Sequence, residues 1–288
     1  MELRFEKLQG AGNDFIFIED MDDGIDLDPS QVRFMCDRHF GIGADGVIVV
    51  KPSRIEGCDG FMHYINSDGT LAQMCGNGVR CFAKYLVDHG LAPADRPLSV
   101  ETRAGVKTIA CALDDAGKLV SATVDMGAPV LQPDAVPTAL AADAEFRGMP
   151  FVCDSPIPSP FGDFRFTCVS MGNPHAVTFV DDCDAIDIDA VGAYYESCSA
   201  FPEKANIEFA SLRPEGIAMR VYERGCGETL ACGTGACATQ VAAFLTGRCG
   251  PEGDVVLRGG TLHIAYEPGG TVLMTGPAAA VYGGCITL

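Results

Sequence analysis

Two stretches of the sequence begin in the same way and decide the fold. Residues 75–81 read Cys-Gly-Asn-Gly-Val-Arg-Cys, and residues 232–237 read Cys-Gly-Thr-Gly-Ala-Cys. Each stretch follows a turn-like segment that contains glycine, and each leads into an apolar run that ends at a glycine, Gly90 or Gly247. A glycine directly after such a run is a typical helix end. The repeated start predicts a duplicated chain of two comparable halves, each with one largely buried helix.

The segments around these two helices have the two-residue period of β-strands. Apolar side chains alternate at residues 61–65 and again at residues 164–168, and similar short runs recur between Gly, Pro and Asp residues. Helices are predicted over three segments only, residues 29–39, 76–89 and 233–246. We expect an α+β fold of two pseudo-symmetric halves, each a mixed β-sheet or barrel wrapped on a central helix, with the active site in the cleft between them.

A proline-rich region lies between the two halves. Prolines recur from Pro129 to Pro160 and repeatedly block strand pairing. The region places the boundary near Ala128, and the final apolar segment is assigned to the first half. The predicted domains are residues 1–128 together with 277–288, and residues 129–276.

Charge and composition exclude several classes of protein. The chain has 288 residues and a formal net charge of −19. A protein this acidic repels phosphate backbones unless a basic patch overrides the field, and the sequence contains no such patch. With 48% hydrophobic and 20% charged residues, the composition is typical of a compact globular protein. We expect no nucleic-acid partner.

The amino terminus lacks the apolar segment of a secretory signal, which predicts a cytoplasmic protein. The fourteen cysteines are then expected to be mostly reduced thiols. The longest uncharged stretch, residues 229–247, contains Thr, Gln and Gly, so we interpret it as a buried helix. We expect no contact with a membrane.

A cysteine that directly precedes a Gly-x-Gly helix start lies among unpaired backbone N–H groups at the positive end of the helix dipole. Thiol pKa values in such settings fall from about 8.5 to roughly 3.5–7.5, so Cys75 and Cys232 are predicted to act as bases near neutral pH. The N–H groups also predict two anion sites that would hold one carboxylate from both sides. Two thiols beside a bound carboxylate indicate proton chemistry at its α-carbon.

Other interpretations of these cysteines fit the sequence less well. Most cysteines are packed core residues, and Cys81 and Cys237, on the helices themselves, keep that interpretation. Their spacing from Cys75 and Cys232 differs from that of paired zinc ligands, and no histidine cluster completes a metal site. Neither helix start carries the glycine pattern of a nucleotide-binding loop. We expect no metal and no cofactor.

Six motifs follow one another along essentially the whole chain. They read Gly10-Ala11-Gly12-Asn13-Asp14-Phe15, Gly41-Ile42-Gly43-Ala44-Asp45-Gly46, Asn66-Ser67-Asp68-Gly69, Cys75-Gly76-Asn77-Gly78-Val79-Arg80-Cys81, Met171-Gly172-Asn173-Pro174-His175, and Glu223-Arg224-Gly225 leading into Glu228-Thr229-Leu230-Ala231-Cys232-Gly233-Thr234-Gly235. With these motifs the chain resembles the diaminopimelate epimerases, a family of cofactor-independent amino-acid epimerases. The resemblance implies inversion of one centre of LL-diaminopimelate to give the meso isomer, in lysine and peptidoglycan precursor synthesis.

The resemblance also implies roles for individual residues. Cys75 and Cys232 would be the catalytic acid/base pair, and His175 and Glu223 would support catalysis. The implied substrate-binding residues are Asn13, Asn66, Gly76, Asn77, Asn173, Asn206, Glu223, Arg224, Gly233 and Thr234. The family tends to form homodimers, and Tyr282 matches a residue near that interface.

Some of these residues also have plain structural explanations. Asn13, Asn66 and Asn173 lie in turns flanked by Gly or Pro, where asparagine commonly bonds to its own backbone. Glu223 and Arg224 could equally be a solvated charge pair. Their chemistry nevertheless suits a second amino-acid end, whose ammonium needs oxygen acceptors and whose carboxylate suits a guanidinium.

Two positions depart from the family pattern. Position 46 is Gly where some relatives have an amide side chain that touches substrate, so a contact there would come from the backbone. Cys226 places a third thiol close to Cys232 in the sequence and is a candidate for oxidation. Neither departure affects the two catalytic positions.

Two rival functions remain open at this point. One is a two-thiol racemase of proline or hydroxyproline, whose single amino-acid end would not need Arg224. The other is a redox protein in which the two thiols form a disulfide switch. The sequence does not decide which cysteine removes the proton from the LL isomer.

Overall fold

The computed structural model describes residues 1–288 and divides them into two compact units. The first unit contains Met1–Asp125 and Thr275–Leu288, and the second contains Met126–Met274. That these units are domains with boundaries at residues 128 and 277 stays a prediction.

Nineteen strands, four α-helices and two short 3₁₀ turns make up the chain. The strands are β1 (Glu2–Gly10), β2 (Asn13–Glu19), β3 (Gly46–Lys51), β4 (Gly60–Asn66), β5 (Leu98–Thr102), β6 (Gly105–Leu113), β7 (Leu119–Asp125), β8 (Ala144–Phe146), β9 (Met149–Phe151), β10 (Ser155–Ile157), β11 (Phe164–Ser170), β12 (Pro174–Phe179), β13 (Asn206–Arg213), β14 (Gly216–Glu223), β15 (Gly227–Thr229), β16 (Glu252–Leu257), β17 (Gly260–Tyr266), β18 (Val272–Pro277) and β19 (Ala279–Thr287). The helices are α1 (Pro29–Cys36), α2 (Gly76–Asp88), α3 (Ile188–Glu196) and α4 (Gly233–Leu245), and the 3₁₀ turns are Pro133–Ala135 and Cys183–Ala185.

The first unit is a mixed sheet built around helix α2. Along the chain the pairings are antiparallel for β1 with β2, parallel for β2 with β3, antiparallel for β3 with β4, parallel for β4 with β5, and antiparallel for β5 with β6. Helix α2 contacts all of the strands β1 to β7. Residues 76–86 of α2 are buried throughout, so this helix is the centre of its unit.

The second unit repeats the same alternation. The pairings are antiparallel for β11 with β12, parallel for β12 with β13, antiparallel for β13 with β14, parallel for β14 with β16, and antiparallel for β16 with β17. Helix α4 contacts β11 to β14, β16 and β17. The prediction of an α+β fold with two pseudo-symmetric halves, each wrapped on a central helix, is confirmed.

The symmetry includes a helix that the sequence analysis missed. Helix α3 lies between β12 and β13, as α1 lies between β2 and β3. Its segment contains Gly192, which weakens a helix in isolation by about 1 kcal/mol relative to Ala. A Cβ at Gly192 would lie 2.5 Å from the Tyr222 Cβ, so the glycine allows α3 to pack closely on β14. Asp187 caps the helix by accepting a hydrogen bond from the Ala190 N–H.

Each unit has its own apolar core. One core cluster in the first unit includes Ile16, Val32 and Val47, and one in the second unit includes Phe166, Tyr195 and Phe209. The proline-rich region contains the 3₁₀ turn Pro133–Ala135 and the short strands β8, β9 and β10. The terminal strand β19 pairs antiparallel with β1 of the same unit.

The predicted helix boundaries differ from the observed ones by one to three residues. Helix α1 ends at Cys36 because Asp37 leaves the helical conformation, with φ −63° and ψ 124°. Helix α4 lies within the longest uncharged stretch and is almost entirely buried, as predicted. No helix combines the length and apolar character needed to span a bilayer.

Candidate active site

Cys75 is the N-cap of helix α2. Its backbone is extended, with φ −137° and ψ 123°, and its Sγ accepts a hydrogen bond from the Gly78 N–H at 3.5 Å. The backbone amides of Gly76 and Asn77 belong to the first turn, whose N–H groups have no partner within the helix. Positive partial charge at this helix start suits an anion beside the Cys75 thiol.

Three of the predicted site residues of the first unit are in contact. The Cys75 Sγ lies 3.5 Å from the Asn13 Oδ1, and the Asn77 Nδ2 donates to the same oxygen at 3.3 Å. Asn66 lies at the end of β4, where its Nδ2 donates to the Thr70 Oγ1 at 3.1 Å. Asn66 is thus held by a side chain of the following turn, while Asn13 is held against the thiol.

Cys232 is the N-cap of helix α4 and is only 6% exposed. Its Sγ lies 3.5 Å from the Thr234 Oγ1. A Cβ at Gly235 would lie 3.3 Å from this sulfur and 2.8 Å from the Glu208 Oε1. The missing side chain of Gly235 therefore makes room for Cys232 and Glu208 together.

The electrostatics at Cys232 correct one expectation. Burial, and then the nearby carboxylates of Glu223 and Glu208, raise the pKa of the Cys232 thiol well above its usual range. These effects outweigh hydrogen bonds from Thr234 and the Gly235 N–H, which lower it. The prediction that the helix start lowers the pKa of Cys232 is wrong for the protein without substrate, in which Cys232 is a thiol at neutral pH.

Glu223 lies at the end of β14, beside Cys232. Its carboxylate accepts a hydrogen bond from the Thr229 hydroxyl. Burial raises the pKa of Glu223, and this hydrogen bond, His175 and the interaction with the Cys232 thiol oppose the shift. A buried carboxyl with a raised pKa next to a thiol can exchange a proton with it.

His175 on β12 is held between Glu208 on β13 and Asn173, which directly precedes β12. Its Nδ1 lies 2.6 Å from the Glu208 Oε1, and its Nε2 lies 3.0 Å from the Asn173 Oδ1. The side chains of His175 and Glu208 are both 0% exposed. Sequence reasoning missed Glu208, because its only sequence signal is one acidic residue within a buried strand.

Asn206 and Arg224 are joined through the backbone. The Asn206 Nδ2 donates to the Pro174 carbonyl at 2.8 Å, and its Oδ1 accepts from the Arg224 N–H at 3.0 Å. The Arg224 side chain is exposed and donates to the Glu203 carbonyl at 3.2 Å. Asn206 therefore fixes the turn that presents a solvent-exposed guanidinium.

The structure shows the environment of the two positions that depart from the family pattern, Gly46 and Cys226. A Cβ at Gly46 would lie 2.5 Å from the Tyr64 ring, so the site has no room for an amide side chain there. Cys226 is exposed, and none of the fourteen cysteines forms a disulfide bond. No three His, Cys, Asp or Glu side chains are grouped so that they could hold a metal ion.

These contacts give each unit a thiol at a helix start with a polar partner. In the first unit the partner is a neutral amide, and in the second it is a carboxyl group. Each helix start can bind an anion, and each thiol can hold or lose a proton. The arrangement suits acid/base chemistry next to a carboxylate.

Solved structures share this fold at low sequence identity. A phenazine biosynthesis protein of the PhzF family from Bacillus anthracis aligns over 100% of both chains, with a TM-score of 0.69 and 16% identity. A probable proline racemase from Agrobacterium radiobacter K84 covers 99% of this chain and 93% of its own, with a TM-score of 0.69 and 13% identity. At these identities the similarity shows the fold alone.

Comparison of the sequence with known proteins finds relatives of higher identity. The family model described as diaminopimelate epimerase matches residues 5–132 and 167–281. A diaminopimelate epimerase of Leptospira biflexa is 43% identical over 285 residues, which cover 99% of both chains. One of Desulfovibrio desulfuricans is 44% identical over 284 residues, which cover 98% of this chain and 97% of the relative. The resemblance seen in the six motifs is confirmed, and the chain belongs to the diaminopimelate epimerase family.

Proposed function

We propose that this protein epimerises LL-diaminopimelate to meso-diaminopimelate by a cofactor-independent mechanism with two thiol bases, in lysine and peptidoglycan precursor synthesis. Its membership of the family makes it an isomerase. The observation that carries the mechanism is the duplicated helix start, with Cys75 capping α2 and Cys232 capping α4.

In the proposed reaction the two cysteines act on opposite faces of one α-carbon. One cysteine, as a thiolate, takes the α-proton, and the electron pair of the broken C–H bond stays on the carbon. The other cysteine, as a thiol, donates its proton to the opposite face. The centre is inverted, and the two cysteines end in exchanged protonation states.

The carbanion is costly because an α-proton is far less acidic than a thiol. Backbone N–H groups fixed in place before the reaction can stabilise the negative charge that spreads onto the α-carboxylate. The first-turn residues proposed for this role are Gly76 and Asn77 of α2, and Gly233 and Thr234 of α4.

The surroundings of the two sulfurs differ in how readily they allow the thiol to lose its proton. Burial and the negative charge of Glu223 raise the pKa of the Cys232 thiol. A substrate ammonium paired with the Glu223 carboxylate would offset that charge, so this thiol can lose its proton when substrate binds. The neutral Asn13 amide accepts a hydrogen bond from Cys75 but is too weak a base to remove its proton. We propose that His175 supports catalysis by ordering this region through Glu208 and Asn173.

The charged and polar groups of the substrate are proposed to bind the polar residues that the family resemblance identifies. Arg224 would pair with the distal carboxylate, and Glu223 with an ammonium group. Asparagine side chains would complete the hydrogen bonding; these are Asn13, Asn66, Asn173 and Asn206.

Single replacements of the two cysteines test the proposed function. Cys75→Ala and Cys232→Ala should each lower epimerisation by at least about 10²- to 10⁴-fold, because each removes one acid/base partner. The matched control is Cys226→Ala, which removes an exposed thiol three residues from Glu223 and should keep most of the activity. A folded Cys75→Ala or Cys232→Ala variant with near-normal turnover would overturn the two-base assignment.

The oligomeric state and the cellular location of the enzyme are also proposed. We propose a homodimer that uses β19, where Val281 and Tyr282 are 54% and 46% exposed. Equilibrium sedimentation should give a mass of twice 30.3 kDa, and a monomer at micromolar concentration would contradict this. We further propose a cytoplasmic location, which suits fourteen free thiols.

A further inference from the structure

Arg80 is buried one turn into helix α2, close to the Cys75 site. Its side chain is 0% exposed. Its NH2 donates to the Asn77 Oδ1 at 2.8 Å, and its NH1 donates to the Gly76 carbonyl at 3.3 Å. A guanidinium has donors and no acceptor. It therefore fixes the oxygen end of the Asn77 amide toward itself.

Asp45 fixes a second amide from the opposite side. The Asn13 Nδ2 donates to the Asp45 Oδ2 at 2.5 Å. Asp45 also forms an ion pair with Arg38 at 2.8 Å. An ionised carboxylate only accepts hydrogen bonds, so it holds the nitrogen end of the Asn13 amide.

The two amides connect these fixed ends. The Asn77 Nδ2 donates to the Asn13 Oδ1 at 3.3 Å. Reversing either amide breaks the hydrogen bond between them, and reversing Asn13 also turns its oxygen toward the Asp45 carboxylate, so the observed orientation is favoured. With both amides fixed, the Asn13 Oδ1 faces the Cys75 sulfur at 3.5 Å as an acceptor.

We propose that Arg80 and Asp45 are positioning residues that hold the amides of Asn77 and Asn13 in one orientation, with the Asn13 oxygen facing the Cys75 thiol. The inference deepens the proposed function and rests on it for the role of Cys75. Arg80 and Asp45 act through the two amides. In this orientation the Asn13 amide offers an acceptor to the thiol proton and to a substrate ammonium, and the donor that faces the sulfur is the backbone N–H of Gly78.

Alkylation of Cys75 by iodoacetamide, without substrate, tests the orientation. The variant is Asp45→Asn, whose new amide can donate as well as accept. It removes the 2.5 Å restraint on the Asn13 amide and leaves only the longer 3.3 Å contact with Asn77, so the Asn13 N–H can turn toward the sulfur. A donor stabilises the reactive thiolate, so Cys75 should be alkylated about tenfold faster at pH 7. Peptide mass spectrometry separates Cys75 from the other thiols.

Charge must be separated from orientation. The control Asp14→Asn removes the same charge from the neighbouring carboxylate, which also pairs with Arg38 at 2.8 Å, and should change the rate by less than twofold. In an Asn13→Ala background, Asp45→Asn should likewise have less than a twofold effect. Equal acceleration in both backgrounds, or none in either, would overturn the proposal.

The Arg80 end has its own pair of variants. In the Asp45→Asn background, where no carboxylate holds the Asn13 amide, Arg80→Gln introduces an acceptor that lets the Asn77 amide reverse as well, and it should accelerate alkylation further. In the same background Arg80→Lys keeps only donors and should give no further acceleration. If the Arg80 variants fail to fold, the comparison of Asp45→Asn with and without Asn13→Ala decides alone. Asp45 tolerates replacement better because its side chain is 42% exposed. A protein that failed to epimerise diaminopimelate would overturn the proposed function and leave the alkylation result unaffected.

Discussion

At the residue scale, the two thiols have the same place in the chain and different partners. Cys75 is half-buried beside a neutral amide, whereas Cys232 is buried beside the Glu223 carboxyl. The pKa of Cys232 is raised by burial and by two carboxylates, so its proton is released only when the surrounding charge changes. A bound ammonium near Glu223 would be such a change, because opposite charge favours the ionised forms.

Glu208 gives the first prediction. Glu208→Gln should lower the epimerisation rate about ten- to a hundredfold, because His175 loses a charged hydrogen bond of about 1.5–3 kcal/mol. The control Glu215→Gln changes an exposed glutamate at the end of the same hairpin and should have no effect. Steady-state kinetics of the two variants decide, and equal rates would show that the Glu208 carboxylate does not order the site.

Arg224 gives a prediction about specificity. Arg224→Ala should raise KM for diaminopimelate at least tenfold, or about 1.4 kcal/mol, if its exposed guanidinium becomes desolvated against the distal carboxylate. Arg213→Ala, which removes an arginine paired with Asp182 and Asp184, is the control. A loss below fivefold, or efficient turnover of proline by the unmodified protein, would favour the rival racemase function.

Sequence motifs identify the residues that repeat or cap a helix. Cys75 and Cys232 are recognisable because a cysteine before Gly-x-Gly occurs twice. Glu208 is not recognisable, because its contact with His175 exists only once β12 and β13 pair. The raised pKa of Cys232 depends on the same tertiary contacts, which outweigh the local helix-start effect.

At the element scale, the glycines at the starts of α2 and α4 make room for the site. Gly235→Ala should lower activity at least about tenfold, because its Cβ would meet the Glu208 Oε1 at 2.8 Å and the Cys232 sulfur at 3.3 Å. The control is Gly250→Ala, whose added Cβ would have no heavy atom within 4 Å and which should leave the activity unchanged. Steady-state kinetics report a displaced site, and thermal melting reports a destabilised helix. Full activity of Gly235→Ala would contradict the close approach of Gly235 to Glu208 and Cys232.

Helices with a clear sequence pattern were predictable, and the helix that depends on tertiary packing was not. The central helices α2 and α4 have long apolar runs and glycine ends, so their existence follows from the sequence. Helix α3 forms around Gly192 because its packing on β14 outweighs a weak local propensity. Its symmetry with α1 is visible only when the strand order is known.

At the scale of the whole molecule, acid should destabilise the fold through its paired carboxylates. Burial raises the pKa of Asp20, but hydrogen bonds from the Ile25 and Gly24 N–H groups and from Lys51 outweigh this and lower it. A folded pKa below the unfolded value of about 3.9 stabilises the fold above that pH. The stability is lost as pH falls through the folded pKa.

Asp20→Asn isolates this contribution. At pH 7 the variant should have a free energy of unfolding about 1–3 kcal/mol lower than the unmodified protein, because an amide cannot accept every hydrogen bond of the carboxylate. The difference should shrink as the pH falls from about 5 to 2. Urea denaturation across this range measures it, and a difference independent of pH would contradict the assigned cause.

The most direct test of the two-thiol mechanism is isotope incorporation during the first turnovers of LL-diaminopimelate in heavy water. Thiols exchange their protons with solvent, so the cysteine that donates to the opposite face delivers deuterium. We predict that the first meso product carries deuterium at the inverted α-carbon while the remaining LL substrate stays unlabelled. Meso product with hydrogen at that carbon, or early labelling of the LL substrate to the same extent, would contradict a mechanism with one thiol on each face.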